Sequence, residues 1–423
     1  VATEDFDVVV VGSRVAGAPT AMLLARAGLG VVLVDRARFP SDAVSSHQLQ
    51  VPGAAALARW GLLGDVVGAQ PGAAVRELAL TVRGTTVTGR LPVVDGVGVL
   101  VSPRRRRLDH LLRQAAAGAG VALADRFDVE GVEVAGGRVV GVRGRDANRR
   151  PRVLRARLVV GADGKESRIA RAVHAPVTRS REPATFSTFS YWAGGMPGPA
   201  RLFHLPGRAV AVFPTDGDQT VVFTSAPRSS LAAARVDPAD FVRRTLASSA
   251  PLRRAVQGLE RVERVRLVPD VPNRVRVSHG PGWALVGDAG FCMDPVSAQG
   301  MTNAFLGAEL LADAVVGARD AGLPLDARLP RYQQARDRLL GPRFDFAMDL
   351  ARLRPTPRAE ALIRLLGRDP RNVDGLLAVF SGVVDHRRFF GPGNLLRMLG
   401  PLGLARVAVA DRLAPSPGYL TDR

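Results

Sequence analysis

The stretch from Val8 to Asp35 constrains the fold more than any other part of the chain. Four valines, Val8–Val11, lead into Gly12-Ser13-Arg14-Val15-Ala16-Gly17. A helical run from Ala18 to Ala27 follows, then a second apolar run from Val31 to Val34 that ends at Asp35. Strand, tight turn, helix, strand and acid in this order form a βαβ unit suited to a dinucleotide. The glycines let backbone N–H groups at the helix start approach a pyrophosphate, and the helix dipole favours that negative charge. A carboxylate at the end of the second strand accepts hydrogen bonds from ribose hydroxyls and repels a 2′-phosphate. One position departs from G-x-G-x-x-G: Arg14 replaces the middle glycine.

Two later segments repeat the theme of a buried strand delivering an acid to a turn. Residues 158–171, LVVGADGKESRIAR, bring Asp163-Gly164 to a turn that continues into Ser167 and Arg168. Residues 283–305, WALVGDAGFCMDPVSAQGMTNAF, bring Gly287-Asp288 to a loop, with Pro295 and Gly300 ahead of a long apolar helix. The first N–H groups of a helix starting at Gln299-Gly300-Met301 have no partner within the helix. They can stabilise an anion placed against them, and Gly300 permits close approach.

Between these segments, residues 76–101 alternate as strands do, and residues 104–119 read as a helix with Leu108, Leu111 and Leu112 on one face. Residues 121–145 predict strand, turn at Gly136-Gly137, and strand. From 183 to 278 the pattern is mostly β, with Phe186–Trp192, Arg208–Pro214 and Thr220–Ser225 as strands. Residues 326–423 read as largely helical. The expected organisation is a discontinuous cofactor domain (1–75, 101–175 and 276–320), a β-rich substrate domain (76–100 and 176–275) and a helical C-terminal region (321–423). The fold class expected is therefore α/β with an α+β insertion.

The net charge of +19 comes from arginine, since Lys165 is the only lysine among 58 basic residues. The basic residues are spread along the chain and accompany no nucleic-acid-binding signature, so nucleic acid is not expected as a partner. The field can still attract anionic cofactors or a carrier-bound substrate. Cys292 is the sole cysteine, which rules out a disulfide or a cysteine-based metal site, and no metal is expected. No signal-like opening and no run of 18 apolar residues is present, so no transmembrane segment is expected and a cytoplasmic location is predicted.

The three motifs in this order resemble those of the two-dinucleotide-fold flavoproteins, specifically the class A (aromatic-hydroxylase-like) flavoprotein monooxygenases and the related geranylgeranyl reductases. The resemblance spans about residues 6–320 and is dense only at the motifs. It implies a Rossmann-like FAD-binding domain, with Gly12, Arg14, Gly17, Asp35 and Arg36 around the ADP half of FAD. It implies that Asp163 and Gly164 support FAD, that Gly287 and Asp288 meet the ribityl chain, and that Pro295, Gly300 and Met301 lie beside the flavin ring. Arg104 or Arg105 stands where such proteins place a flavin-chain contact, and Ser46-His47 lies where the chain passes the isoalloxazine. Phe291 replaces a histidine, and Ala298 a glycine, found in many hydroxylases.

Several residues have two readings. His47 is a catalytic or flavin-side residue, or a satisfied buried histidine; Pro295 is the other candidate beside the reacting ring. Four arginines at Arg104–Arg107 oppose the dipole of the helix they open, which points to an anionic partner, or they form a solvated helix start. Tyr191 and Trp192 point to opposite faces of a strand, so one of them, with Phe213, is a candidate for the substrate pocket, with core packing as the alternative. Asp294 is either a catalytic carboxylate or a loop cap. Cys292 is expected to pack rather than react.

The resemblance implies a flavin monooxygenase acting on a small apolar organic molecule, with secondary metabolism as the expected setting. NAD(P)H would serve as transient reductant, and one atom of O2 would be delivered from the flavin C4a position. Two alternatives stand beside it. One is an FAD-dependent reductase of the geranylgeranyl reductase type. The other is a non-redox protein that keeps FAD and uses its pocket for binding or cyclisation.

Overall fold

A computed structural model of the chain describes residues 2–41, 45, 47–68, 74–196 and 198–413. Its centre is a parallel sheet in the order Trp283–Leu285, Pro151–Gly161, Ala2–Val11, Val31–Asp35, Ala122–Asp125. Val8–Val11 pair with Val31–Val34 on one side and with Leu158–Gly161 on the other. Both faces of these strands are covered, which is why they read as unbroken apolar runs. Alternation splits the valines between two layers. Val8 and Val10 join Ala21, Met22 and Phe305 from the helices Gly17–Arg26 and Gly300–Asp320. Val9 and Val11 pack with Phe127, Val139 and Val142 on the opposite face.

That opposite cover is an antiparallel hairpin, Asp128–Ala135 and Arg138–Arg145, whose second strand pairs with Pro151–Arg155. Residues 121–145 thus hold three strands rather than the two expected. Ala122–Asp125 extends the parallel sheet, and Arg126, at a left-handed φ of 56°, turns the chain into the hairpin.

A second sheet runs Glu260–Arg261, Thr185–Ala193, Gln219–Pro227, Arg208–Thr215, Ala200–Leu205, Glu77–Val82, Thr85–Arg90. Ala200–Leu205, which the sequence reading did not anticipate, pairs in parallel with Glu77–Val82 and ties residues 77–90 to the strands of 185–227. One face carries Phe189, Tyr191, Phe213 and Phe223 against Leu350, Leu366 and Leu377 of the C-terminal helices. The other carries Val210, Val212 and Val222 against Val242, Leu246 and Leu252.

The C-terminal part consists of helices Leu329–Ala351, Pro357–Leu366, Pro370–Phe380, His386–Phe389 and Pro392–Leu413, the last kinked at Gly400. Tyr332 anchors the first of them by donating to the Leu285 carbonyl at 2.7 Å. Among the described residues no helix is long and apolar enough to cross a membrane.

Candidate active site

The three acidic turns lie at the carboxyl ends of three parallel strands, and a cavity of about 550 Å³ opens there. In open parallel sheets this is where ligands bind, because the turns present backbone N–H groups and side chains outward. Gly12, Arg14, Asp35, Arg36, Arg105, Asp163, Gly164, Asp288, Pro295, Gly300 and Met301 all line it.

The first turn is packed tightly. A Cβ on Gly12, which has φ +99°, would sit 2.5 Å from the Ala162 carbonyl oxygen. A Cβ on Gly17 would sit 1.7 Å from the Gly12 carbonyl oxygen. Gly17 therefore acts through this packing and does not itself line the cavity. Asp35 ties the turn from the next strand. One carboxylate oxygen accepts from the Ser13 amide at 2.8 Å and the Ser13 hydroxyl at 3.2 Å, and the other accepts from the Ala37 amide at 2.8 Å. The helix Gly17–Arg26 has no side-chain cap.

Arg14, the departure from the glycine pattern, bridges to the helix Arg105–Gly118. Its guanidinium donates to Asp109 at 2.8 Å and to Ser41 at 2.9 Å. Asp109 is fully buried and also accepts from Arg105 at 3.0 and 3.1 Å. One buried carboxylate thus orients two cations at the cavity wall.

In the second motif Asp163 caps the following turn. It accepts from the Ser167 hydroxyl at 2.5 Å and from the amides of Arg168 at 2.7 Å and Ile169 at 3.2 Å. Burial pushes its carboxyl above the ordinary range, against those hydrogen bonds.

In the third motif Asp288 faces into the cavity. Its side chain is exposed to the open cavity, yet desolvation by the protein around it pushes its pKa up to about 6, with Arg105 and Lys165 pulling the other way. Gly287 packs under the first helix, where an added Cβ would meet the Ala16 Cβ at 2.7 Å. Asp294 is a cap: it accepts from the Val296 amide at 3.0 Å and from the Thr185 hydroxyl at 2.6 Å. Ala298 holds φ +51°, a left-handed conformation that glycine adopts at less cost. The helix Gly300–Asp320 has no side-chain cap, and a Cβ on Gly300 would meet nothing within 4 Å. Arg343 props its first turn, donating to Asn303 at 2.8 Å and to the Gly382 carbonyl at 2.7 Å. Burial lowers that guanidinium to about 10, still charged at neutral pH.

Other sequence candidates lie elsewhere. Arg104 turns to the second sheet, pairing with Glu263 at 2.6 Å and stacking 3.8 Å from the Tyr191 ring centre. Arg107 pairs with Asp216 at 2.9 Å. The anionic partners of this arginine cluster therefore include the protein's own Asp109, one turn along the same helix, and Glu263 and Asp216 from segments distant in sequence. His47 is fully buried at φ +56°, bonded through Nε2 to the Tyr191 hydroxyl, and it does not line the cavity. Ser46 lies outside the described residues. Trp192 packs on the opposite face of its strand, and Phe189 of that strand reaches the cavity instead. Cys292 is fully buried and burial pushes its thiol well up, so it packs.

Phe213 lines a second, smaller cavity of about 40 Å³ between the second sheet and the C-terminal helices. Ala298 lines both cavities, and Val296 and Ser297 continue into the smaller one. Sequence reasoning missed Asp109, Gln48 and Phe189. Asp109 carried a usable signal, the i, i+4 spacing from Arg105; Gln48 and Phe189 carried none.

A family model described as an FAD binding domain matches residues 5–337. The chain is 30% identical over 341 residues to a probable electron transfer flavoprotein-quinone oxidoreductase of Escherichia coli, covering 74% of this chain and 77% of that protein. It is 25% identical over 357 residues to a digeranylgeranylglycerophospholipid reductase of Methanocella arvoryzae, covering 81% and 85%. Among solved structures, Pseudomonas aeruginosa PqsL in complex with 2-aminobenzoylacetate is similar at 25% identity and a TM-score of 0.67, over 88% of this chain and 99% of that one.

Proposed function

We propose, for a chain that belongs to the FAD-binding-domain family and is an FAD-dependent oxidoreductase, a monooxygenase activity on a small, uncharged, largely apolar organic molecule. The observation that carries this reading is the small apolar cavity meeting the larger one at Ala298, beside the uncapped start of the helix Gly300–Asp320.

The residues of the larger cavity fit FAD. The first turn admits only glycine at Gly17 on steric grounds, and Gly300 leaves open space against a helix N-terminus. In this reading the start of the helix Gly17–Arg26 holds the pyrophosphate. Asp35, already oriented by Ser13 and Ala37, accepts from the ribose, and Asp288 takes the ribityl hydroxyls. The uncapped N-terminus of Gly300–Asp320, which lines the same cavity, would favour negative charge on the bound ring. Bound FAD supplies the redox chemistry, with NAD(P)H as transient reductant and O2 as co-substrate. The protein's part is to orient the substrate, through the walls of the smaller cavity, and to keep water away from it.

The test is an accounting of NAD(P)H, O2 and peroxide, followed by mass analysis of the product formed under ¹⁸O2. One labelled oxygen per product supports the reading. Reductant consumed without O2, giving a product two hydrogens heavier, supports a reductase instead. The names of the two curated relatives favour that second reading.

A further inference from the structure

The smaller cavity has a chemical character of its own. Its apolar walls include Leu78, Leu80 and Phe223 of the second sheet and Leu350 and Phe380 of the C-terminal helices. Among the described residues lining it there is no Asp, Glu, Lys or Arg. Its one titratable side chain is His204, which burial holds below the ordinary imidazole range and therefore neutral at pH 7. The His204 Nε2–H donates to the Leu350 carbonyl at 3.2 Å.

Against this charge-free wall stand polar groups with no partner. The carboxamide of Gln48 is 1% exposed, and neither its Oε1 nor its Nε2 has a hydrogen-bond partner. The Ser297 hydroxyl, on the loop that joins the two cavities, also has none. A buried donor or acceptor left unpaired is costly, and a carboxamide is fully satisfied only by a group presenting an acceptor and a donor side by side. An anion would satisfy the N–H of Gln48, face its carbonyl oxygen, and find no cation to offset its lost hydration.

We infer that the small cavity is the recognition pocket for the head of the substrate, and that it selects a neutral hydrogen-bonding head, such as a carboxamide or a hydroxyl beside a carbonyl, over a carboxylate of the same shape. Gln48 is the specificity-determining residue. The volume of about 40 Å³ admits a functional group rather than a ring system, so the remainder of the molecule lies on the Ala298 side, toward the larger cavity. This rests on the reading that the smaller cavity belongs to the substrate, but it is indifferent to whether the reaction is oxygenation or reduction.

The test uses benzamide and benzoate, equal in shape and different in charge, titrated into oxidised holoprotein without reductant. Binding is read from the perturbed flavin absorbance. Benzamide should bind at least tenfold more tightly than benzoate. Gln48→Met, which removes the unpaired amide while keeping its length, should bring the two dissociation constants within about threefold without lowering the thermal midpoint. A purely structural role for Gln48 would move the midpoint and leave the ratio intact. Equal or reversed affinities in the unaltered protein, no benzamide binding up to its solubility, or an unchanged ratio in Gln48→Met would overturn the inference. Because no turnover is involved, labelled-oxygen analysis can fail while this result stands, and the reverse.

Discussion

Asp109 is the most exacting point at which to perturb the site. Its carboxylate is fully buried and holds Arg105, itself 7% exposed, together with the more accessible Arg14. Asp109→Ala removes the acceptor and leaves the Arg105 guanidinium desolvated, with Asp288 across the cavity as a carboxylate felt only at longer range. Breaking a buried ion pair by removing one partner costs about 3–5 kcal/mol. The Arg14 half is partly exposed and adds about 0–1 kcal/mol at most. A loss of about 3–5 kcal/mol is therefore expected in equilibrium urea unfolding of the cofactor-free protein. The double variant Asp109→Leu/Arg105→Leu should recover most of that loss, because replacing both partners by apolar groups removes the unpaired charge. A loss below about 1 kcal/mol in Asp109→Ala, or a double variant no more stable than the single one, would refute the argument that this carboxylate acts by compensating a buried cation.

Further outcomes follow from neighbouring residues. Asp288 is raised to about 6 in the folded protein against an ordinary 3.8, so its contribution to stability is present at low pH and lost as pH rises through 6. Thermal midpoints of the cofactor-free protein between pH 4 and 7 should fall less steeply in Asp288→Asn, and parallel profiles would show that this carboxyl is not the group responsible. Asp288→Ala should weaken FAD binding about five- to a hundredfold, while Asp294→Ala, which loses a cap and a hydrogen bond to Thr185, should mainly lower stability by about 1–3 kcal/mol; equal FAD affinities would count against the assignment. Asp35→Ala should lower FAD affinity at least several-fold in a titration of apoprotein, and an unchanged dissociation constant would remove its ribose role. Gly17→Ala should fail to fold because its methyl meets a carbonyl oxygen at 1.7 Å, whereas Gly300→Ala should keep its urea midpoint and lose FAD affinity. Comparable stability losses in both would contradict the placement of Gly300 on open space.

The local pattern carried the cofactor half of the molecule. Short apolar runs leading into Gly12, Asp163 and Asp288 read as buried strands, since a strand covered on both faces has no polar alternation. Strands of one parallel sheet deliver their ends to one side, so three acidic turns in sequence became three walls of one cavity. The opposite facing of Tyr191 and Trp192 was legible for the same reason, because strand geometry fixes it residue by residue.

What the sequence could not state was which charges meet. Arg104–Arg107 read as one cluster seeking an anion, but Arg104 stands before the helix in an extended conformation, and within the helix adjacent side chains diverge by about 100°. Arg105 consequently faces the cavity and Asp109, whereas Arg104 and Arg107 find Glu263 and Asp216, more than a hundred residues away. Arg14 reads as a flaw in a glycine motif until its partner Asp109 is in place.

By itself, then, the sequence determined the strands that lead into the three polar turns, the order of those turns and the dinucleotide chemistry, because these depend on period, glycine sterics and the ends of single elements. Only the tertiary structure decided that Ala200–Leu205 draws residues 77–90 into the second sheet, and that this sheet and the C-terminal helices enclose a charge-free space at Gln48 and Ser297. Such a space is made by surfaces from several segments distant in sequence, and its character follows from which side chains fail to find partners there. No local pattern encodes that property, since a hydrogen-bond partner is defined by position in space rather than along the chain.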